Sequence, residues 1–350
     1  MRRLPVFFVL DCSESMVGEN LKKMEDGLAA IVKTLRTDPH ALESVYVSVI
    51  AFAGVAKAIA PLVEIVSFYP PKLPLGGGTS LGAALDTLIN EIDKSVVRTT
   101  ADRKGDWKPI VYLFTDGRPT DTYEPAIERW NSKYGKKATL IAVALGTSAD
   151  LAVLRRLTEN VIVFKDAKEG DFKKFINWVT ASVVAQSKSV GEGSDAQGLP
   201  IFDESVMKIV KEPPSKLVDE ACVTLVGRCQ KTRKPYIIKY EREVDDVATR
   251  DFKVQVSHFD ISGCYPLEED YFTWSDPRAI DSKVNAAELF GSPGCPHCGA
   301  PTAFAVCGCG KLMCINGPED ATCPWCNKNV SFSPIGTGDD DAFEVGRGRG

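Results

Sequence analysis

The sequence predicts an α/β protein: a doubly wound, mostly parallel sheet, followed by a small β-rich region that ends in a cysteine-rich, ribbon-like module. Three observations predict it. Over about the first 185 residues, apolar runs of strand length alternate with amphipathic helical stretches, the pattern of a parallel sheet covered on both faces. A Gly- and Ser-rich stretch then ends the alternation, and short segments separated by turn residues replace it. Finally, seven of the eleven cysteines lie between Cys295 and Cys326.

Strands are expected at 5–10, 44–53, 109–115, 138–145 and 161–164. Between them, Leu21, Met24, Leu28, Ile31, Val32 and Leu35 recur at helical spacing, as do Leu81, Ala84, Leu85, Leu88, Ile89 and Ile92. Further helices are expected near 122–134 and 170–185. This first domain spans 1–186. Residues 187–200 (SKSVGEGSDAQGLP) read as a linker. Segments 222–229, 235–241, 252–259 and 271–274 suggest a small antiparallel region over 201–292. The cysteine-rich module covers 293–335, and the Gly- and charge-rich tail 336–350 reads as disordered.

A chain of 350 residues has room for about two domains. Its formal net charge of −5 argues against general electrostatic binding to nucleic acid. No apolar run reaches the roughly 18 residues of a membrane-spanning helix. Arg2 and Arg3 before the run Pro5–Leu10 mimic the start of a secretion signal, but the run is short and Asp11 ends it, so a buried first strand is expected. An odd number of cysteines with CxxC spacing favours a reducing, cytoplasmic setting and bound metal over disulfides.

Two constellations carry chemistry. Asp11-Cys12-Ser13-Glu14-Ser15 follows the first strand, Gly76-Gly77-Gly78-Thr79-Ser80 precedes the second long helix, and Thr115-Asp116-Gly117 follows the strand 109–115. In a parallel sheet all three lie at the carboxyl edge, where such folds bind ligands. Asp11, Ser13, Ser15, Thr79 and Asp116 offer hard oxygen donors of the kind that suit Mg²⁺, Mn²⁺ or Ca²⁺. Ser80, Glu14 and Asp121 read as solvated or capping residues, and Cys12 as a small buried one. An aspartyl-phosphate phosphatase would carry a second Asp where Ser13 stands. No GxxxxGK[ST] and no GxSxG occur, and the three histidines, His40, His258 and His297, make a His-based triad a poor reading.

In order and type, DxSxS, the Thr of the GGTS loop and TDG resemble the metal-ion-dependent adhesion site of a von Willebrand factor type A domain, a Rossmann-like fold, over about residues 4–185. The resemblance implies that Ser13 and Ser15 bind the metal directly, that Thr79 joins in the ligand-bound state, that Asp11 and Asp116 act through water, and that a partner's acidic side chain completes the shell.

In the tail, Cys295-x2-Cys298 and Cys323-x2-Cys326 read as two knuckles around one structural Zn²⁺, the Cys₄ pattern of a zinc ribbon. Cys307, Cys309, Cys314 and His297 suffice for a second tetrahedral site, and an interleaved pairing of these ligands remains open. Cys222, Cys229 and Cys264 read as buried strand cysteines. A type A domain ahead of a seven-cysteine, one-histidine tail resembles the TerY type of bacterial tellurite-resistance and stress-response loci. That resemblance implies a non-enzymatic adaptor for a protein kinase and a PP2C-type phosphatase in phosphorylation signalling. Two rival readings stand beside it, a metal-dependent phosphohydrolase and a zinc-ribbon nucleic-acid-binding protein.

Overall fold

Eight consecutive buried residues, Leu4–Asp11, make β1, and their unbroken apolar character reflects a strand covered on both faces. The computed structural model describes residues 2–102, 104–116, 118–145, 150–164, 169–192, 222–248, 253–278, 282–317, 320–332 and 343–348. The chain divides into two compact units, Met1–Pro74 with Thr79–Leu217, and Leu75–Gly78 with Val218–Gly350.

In the first unit β1 is followed by α1 (Glu19–Leu35), α2 (Pro39–Ser44), β2 (Val45–Phe52), β3 (Ala56–Glu64), α3 (Leu81–Ser95), β4 (Ile110–Thr115), α4 (Glu124–Lys133), β5 (Thr139–Leu145), α5 (Leu151–Leu157), β6 (Val161–Phe164) and α6 (Glu169–Glu192). The strands form a six-stranded sheet in the order β3-β2-β1-β4-β5-β6. All neighbours are parallel except the edge strand β3, which runs antiparallel to β2. Phe7, Val9, Val111 and Leu113 pack with Leu85, Trp130 and Leu154 from α3, α4 and α5 in one core, while α1 and α2 contact α6. This doubly wound arrangement is the predicted one.

Among the described residues of this unit, β3, α2 and α5 escaped the sequence. β3 is half-exposed and carries no clean alternation. α2 and α5 span only six and seven residues, too short for a helical period to register. Each is started by a carboxylate: Asp38 accepts from the Ala41 N–H at 2.9 Å, and Asp150 from the Ala152 and Val153 N–H groups. At the other end, α6 runs to Glu192, so 187–192 are helical where a linker was expected. Residues 193–200 lie outside the described residues.

The second unit holds β7 (Cys222–Arg228), β8 (Pro235–Ala248), β9 (Lys253–Pro266), α7 (Tyr271–Trp274), β10 (Lys283–Asn285), β11 (Leu289–Phe290), β12 (Thr302–Val306), β13 (Leu312–Ile315), β14 (Ala321–Thr322), β15 (Asn329–Val330) and β16 (Glu344–Gly346). The segment 271–274, rich in strand-favouring aromatics, is a helical turn rather than a strand. The Trp274 N–H bonds the Asp270 carbonyl at 3.1 Å, and local closure overrides a weak β propensity.

The cysteine-rich segment is not a separate module. β13 pairs with β7, and the six-stranded sheet β11-β9-β8-β7-β13-β12 runs across the expected boundary at 292/293. Val223, Leu225, Tyr236 and Ile238 share a core with Cys295, Leu312 and Cys314. Of the tail, residues 343–348 are described and are structured: β16 pairs with β10, and Val345, 1% exposed, belongs to that same core, while 336–342 and 349–350 lie outside the described residues. Apolar Phe343 and Val345 give the tail a face to bury, which its polar composition hides. Val345→Asp is therefore expected to cost about 2–4 kcal/mol, by placing an unpaired charge in this core. Faster amide exchange in Lys283–Asn285 is the measurement that checks it.

Candidate metal centres

β1 ends at Asp11 and β4 at Thr115, so parallel neighbours deliver both loops to one edge. There the Ser13 N–H donates to Asp11 Oδ1 at 3.0 Å, and Thr115 Oγ1 donates to Asp11 Oδ2 at 2.6 Å. Ser13 Oγ lies 3.0 Å from Ser15 Oγ, which donates to Asp116 Oδ1 at 2.8 Å. Thr79 follows Gly78, whose φ of 97° needs a glycine. It is fixed by reciprocal bonds: its N–H donates to Thr120 Oγ1, and its carbonyl accepts from the Thr120 N–H. The neighbouring Asp121 caps α3 from a distance, accepting from the Gly82 and Ala83 N–H groups. Ser80 donates to the Gly54 carbonyl, Cys12 is buried, and Glu14 is buried rather than solvated.

Asp11, Ser13, Ser15, Thr79 and Asp116 are each no more than 5% exposed. Burial pushes the Asp11 carboxyl up to about 6, against the hydrogen bonds from Thr115 and Ser13 that favour its charged form. No Lys, Arg or His among the described residues pairs with Asp11. Two carboxylates and several hydroxyls withdrawn from water without a cationic partner for Asp11 form a donor set that fits a hard divalent ion.

The thiols group differently from the expected pairing. Cys229, Cys295, Cys298 and Cys314 form one cluster, and Cys307, Cys309, Cys323 and Cys326 another, with all sulfurs of each within 4.8 Å of one another. Sγ–Sγ distances of 3.7 Å (Cys298–Cys314), 3.8 Å (Cys307–Cys326) and 3.9 Å (Cys309–Cys323) match the roughly 3.8 Å edge of a tetrahedron with Zn–S bonds near 2.3 Å. The two expected knuckles thus serve two different centres.

The physical reason is strand alternation. Leu312 and Cys314 face one core, whereas Met313 joins Cys307 and Cys323 in another. The β12–β13 hairpin therefore sends Cys314 to the first knuckle, and the turn cysteines Cys307 and Cys309 to the second. His297 joins neither cluster; its Nε2 lies 2.8 Å from the Pro235 carbonyl oxygen.

Its place is taken by Cys229, which was read as a buried strand residue. Cys229 sits in a turn of the same kind as those of the knuckle cysteines. The Cys229, Cys295 and Cys323 N–H groups bond the carbonyls of Lys234, Ala300 and Lys328, and their own carbonyls accept from Arg233, Gly299 and Asn327. Those three residues have φ of 61°, 71° and 58°. The sequence hides this knuckle because Thr232 stands where a second cysteine would complete CxxC. The signal present was the turn itself, at the start of the β7–β8 loop.

Cys229 and Cys326, from different clusters, are both drawn below the usual thiol range. Burial raises Cys229, but hydrogen bonds from the Thr232 side chain and N–H, and from the Cys298 thiol, outweigh it and bring it down to about 6. Cys326 is lowered to about 7, first by the Lys328 N–H, against burial, and then by its neighbouring thiols. By contrast, burial pushes Cys307 up to about 12. Four crowded thiols cannot all ionise unaided, and a soft dication is the chemistry that lets them.

Among the described residues no helix is long and apolar enough to cross a membrane. Compared with known proteins, residues 6–178 match the von Willebrand factor type A domain and residues 219–350 match the TerY-C metal binding domain. Among solved structures the chain is similar to proximal thread matrix protein 1 from the mussel byssus, at 16% identity over 52% of this chain and 48% of that one, with a TM-score of 0.40. The match thus spans about half the length of the mussel protein. It is also similar to a von Willebrand factor type A protein from Catenulispora acidiphila, at 15% identity over 81% and 61% of the two chains, with a TM-score of 0.42. For the ArnB paralog VWA2 from Sulfolobus acidocaldarius the values are 11%, 99% and 66%, with a TM-score of 0.38. The chain combines a von Willebrand factor type A domain with a TerY-C metal binding domain, and belongs with proteins built from those two parts.

Proposed function

We propose that the chain is a non-enzymatic, cytoplasmic scaffold whose type A domain captures a partner protein through a divalent cation. The observation that carries this reading is the buried Asp11–Ser13–Ser15–Asp116 hydrogen-bonded group, with Thr79 buried as well. Ser13, Ser15 and Thr79 would hold Mg²⁺ through neutral hydroxyls, with Asp11 and Asp116 supplying the charge. Fewer charged donors leave the ion electrophilic towards an incoming carboxylate on the partner. The position two residues after Asp11, where a phosphatase would keep its general acid, is a serine. The eight thiols would hold two Zn²⁺ ions in closed Cys₄ sites that leave no coordination position open for substrate, as structural zinc does. The partners proposed from the family resemblance are a protein kinase and a PP2C-type phosphatase of a tellurite or stress response.

Capture from native extract tests it, comparing buffers with and without Mg²⁺ rather than with a chelator, which would also strip the thiol clusters. The wild-type chain is expected to retain its partners in Mg²⁺ and an Asp116→Ala chain to lose them, a fall of about tenfold or more in affinity for one lost metal-bridged contact. Partner binding indifferent to Mg²⁺ would defeat the reading. Phosphoester turnover lost on Asp11→Ala would replace it with the phosphohydrolase reading.

A further inference from the structure

At the opposite end of the type A sheet from Asp11 lies a cavity of about 430 Å³, between the ends of α3 and α4 and the residues that lead into β4 and β5. That volume falls in the range of small-molecule sites, roughly 300–1,000 Å³. Its walls are of two kinds. Ile92, Val96, Trp107, Pro109 and Tyr134 are apolar or aromatic, and Arg98, Lys108, Lys133 and Lys137 are basic.

Among the described residues the one lining carboxylate is Asp106, which is already engaged: Arg3 holds it with two bonds of 2.9 and 2.5 Å, and the Val97 N–H with one of 2.7 Å. Arg98 and Lys133 share Asp93 just outside the cavity. Among the described residues Lys108 and Lys137 have no carboxylate partner. Two unpaired cations beside an aromatic wall, in a chain of net charge −5, form a local site for an anion that also carries a flat apolar part. An inorganic anion would leave the wall unused, and a neutral ring would leave the lysines unused.

We propose that this cavity binds a nucleoside phosphate. Lys108 and Lys137 hold the phosphate, and the base packs against Trp107, whose ring already carries the Arg2 guanidinium 3.9 Å from its centroid. The site is separate from the adhesion-site residues and does not depend on their metal.

Calorimetric titration of the full-length, zinc-loaded chain in magnesium-free, low-salt buffer tests it, with ADP, adenosine and inorganic phosphate as separate probes. ADP is expected to bind at least tenfold more tightly than either fragment. Lys108→Gln with Lys137→Gln is expected to weaken ADP about tenfold. Lys22→Gln with Lys33→Gln, the same charge change at exposed positions on α1, is expected to leave ADP binding unchanged. Undetectable ADP binding at about 1 mM, phosphate binding as tight as ADP, or equal loss in both double variants would overturn the proposal.

Discussion

Cys229→Ser is expected to take the purified chain from about two bound zinc ions to about one and to loosen the sheet of the TerY-C domain. Cys229 belongs to the turn after β7, Cys295 and Cys298 to the knuckle before β12, and Cys314 to β13. An ion held by these four ties together segments far apart in sequence that share one core. A structural Zn²⁺ contributes apparent free energies of roughly 10–16 kcal/mol in small domains, and a hydroxyl is a poor substitute for a thiolate. Several kcal/mol of that should disappear with the ion. Metal analysis gives the stoichiometry, and amide exchange across β7, β8 and β13 gives the loosening. His297→Ala is the decisive companion. It removes one hydrogen bond to the Pro235 carbonyl, worth about 1 kcal/mol, and both ions should stay. Zinc lost with His297 and kept without Cys229 would reverse the ligand assignment.

This pair of substitutions also marks where the sequence stops being readable. The four thiols of the two CxxC knuckles are legible because both ligands of a knuckle are local. Pairing is not local, because the faces of β13 decide it, and alternation through a hairpin turn cannot be counted from spacing alone. Cys229 is illegible for a related reason: its knuckle carries one thiol, with Thr232 in the second place, so composition shows a strand cysteine where the backbone makes a ligand turn. The type A domain lies at the other extreme. Buried parallel strands such as β1 and β4 announce themselves as continuous apolar runs, and strand order then brings Asp11 and Asp116 together without any further information. Short elements fall between these cases. α2, α5 and β16 span only six, seven and three residues, too little pattern to detect in advance.

The second large effect concerns the cost of keeping the buried Asp11 carboxylate charged. In the metal-free protein Asp11 has its carboxyl raised to about 6 by burial, above the roughly 3.9 of an unfolded chain. Between these values the folded state binds the proton and the unfolded state does not. This group therefore stabilises the fold fully below about pH 4, loses that contribution as pH rises to about 6, and contributes nothing further above it. The span corresponds to about 2–3 kcal/mol. Asp11→Asn removes the charge while keeping one oxygen to accept from the Ser13 N–H and an amide that can donate to Thr115 Oγ1. Without Mg²⁺ at pH 7, the variant should be more stable than the wild type by about 2 kcal/mol, and its excess should vanish near pH 4. Added Mg²⁺ should reverse the order, because an ion that binds the folded state alone stabilises it by mass action, and the variant has lost a charge that attracts it. Denaturant unfolding of the type A domain, followed by exchange in β1 and β4 across that pH range, gives both readings. An Asn variant that is less stable without metal, or that gains as much from Mg²⁺ as the wild type, would show that Asp11 is a structural hydrogen-bond acceptor and not part of a cation site.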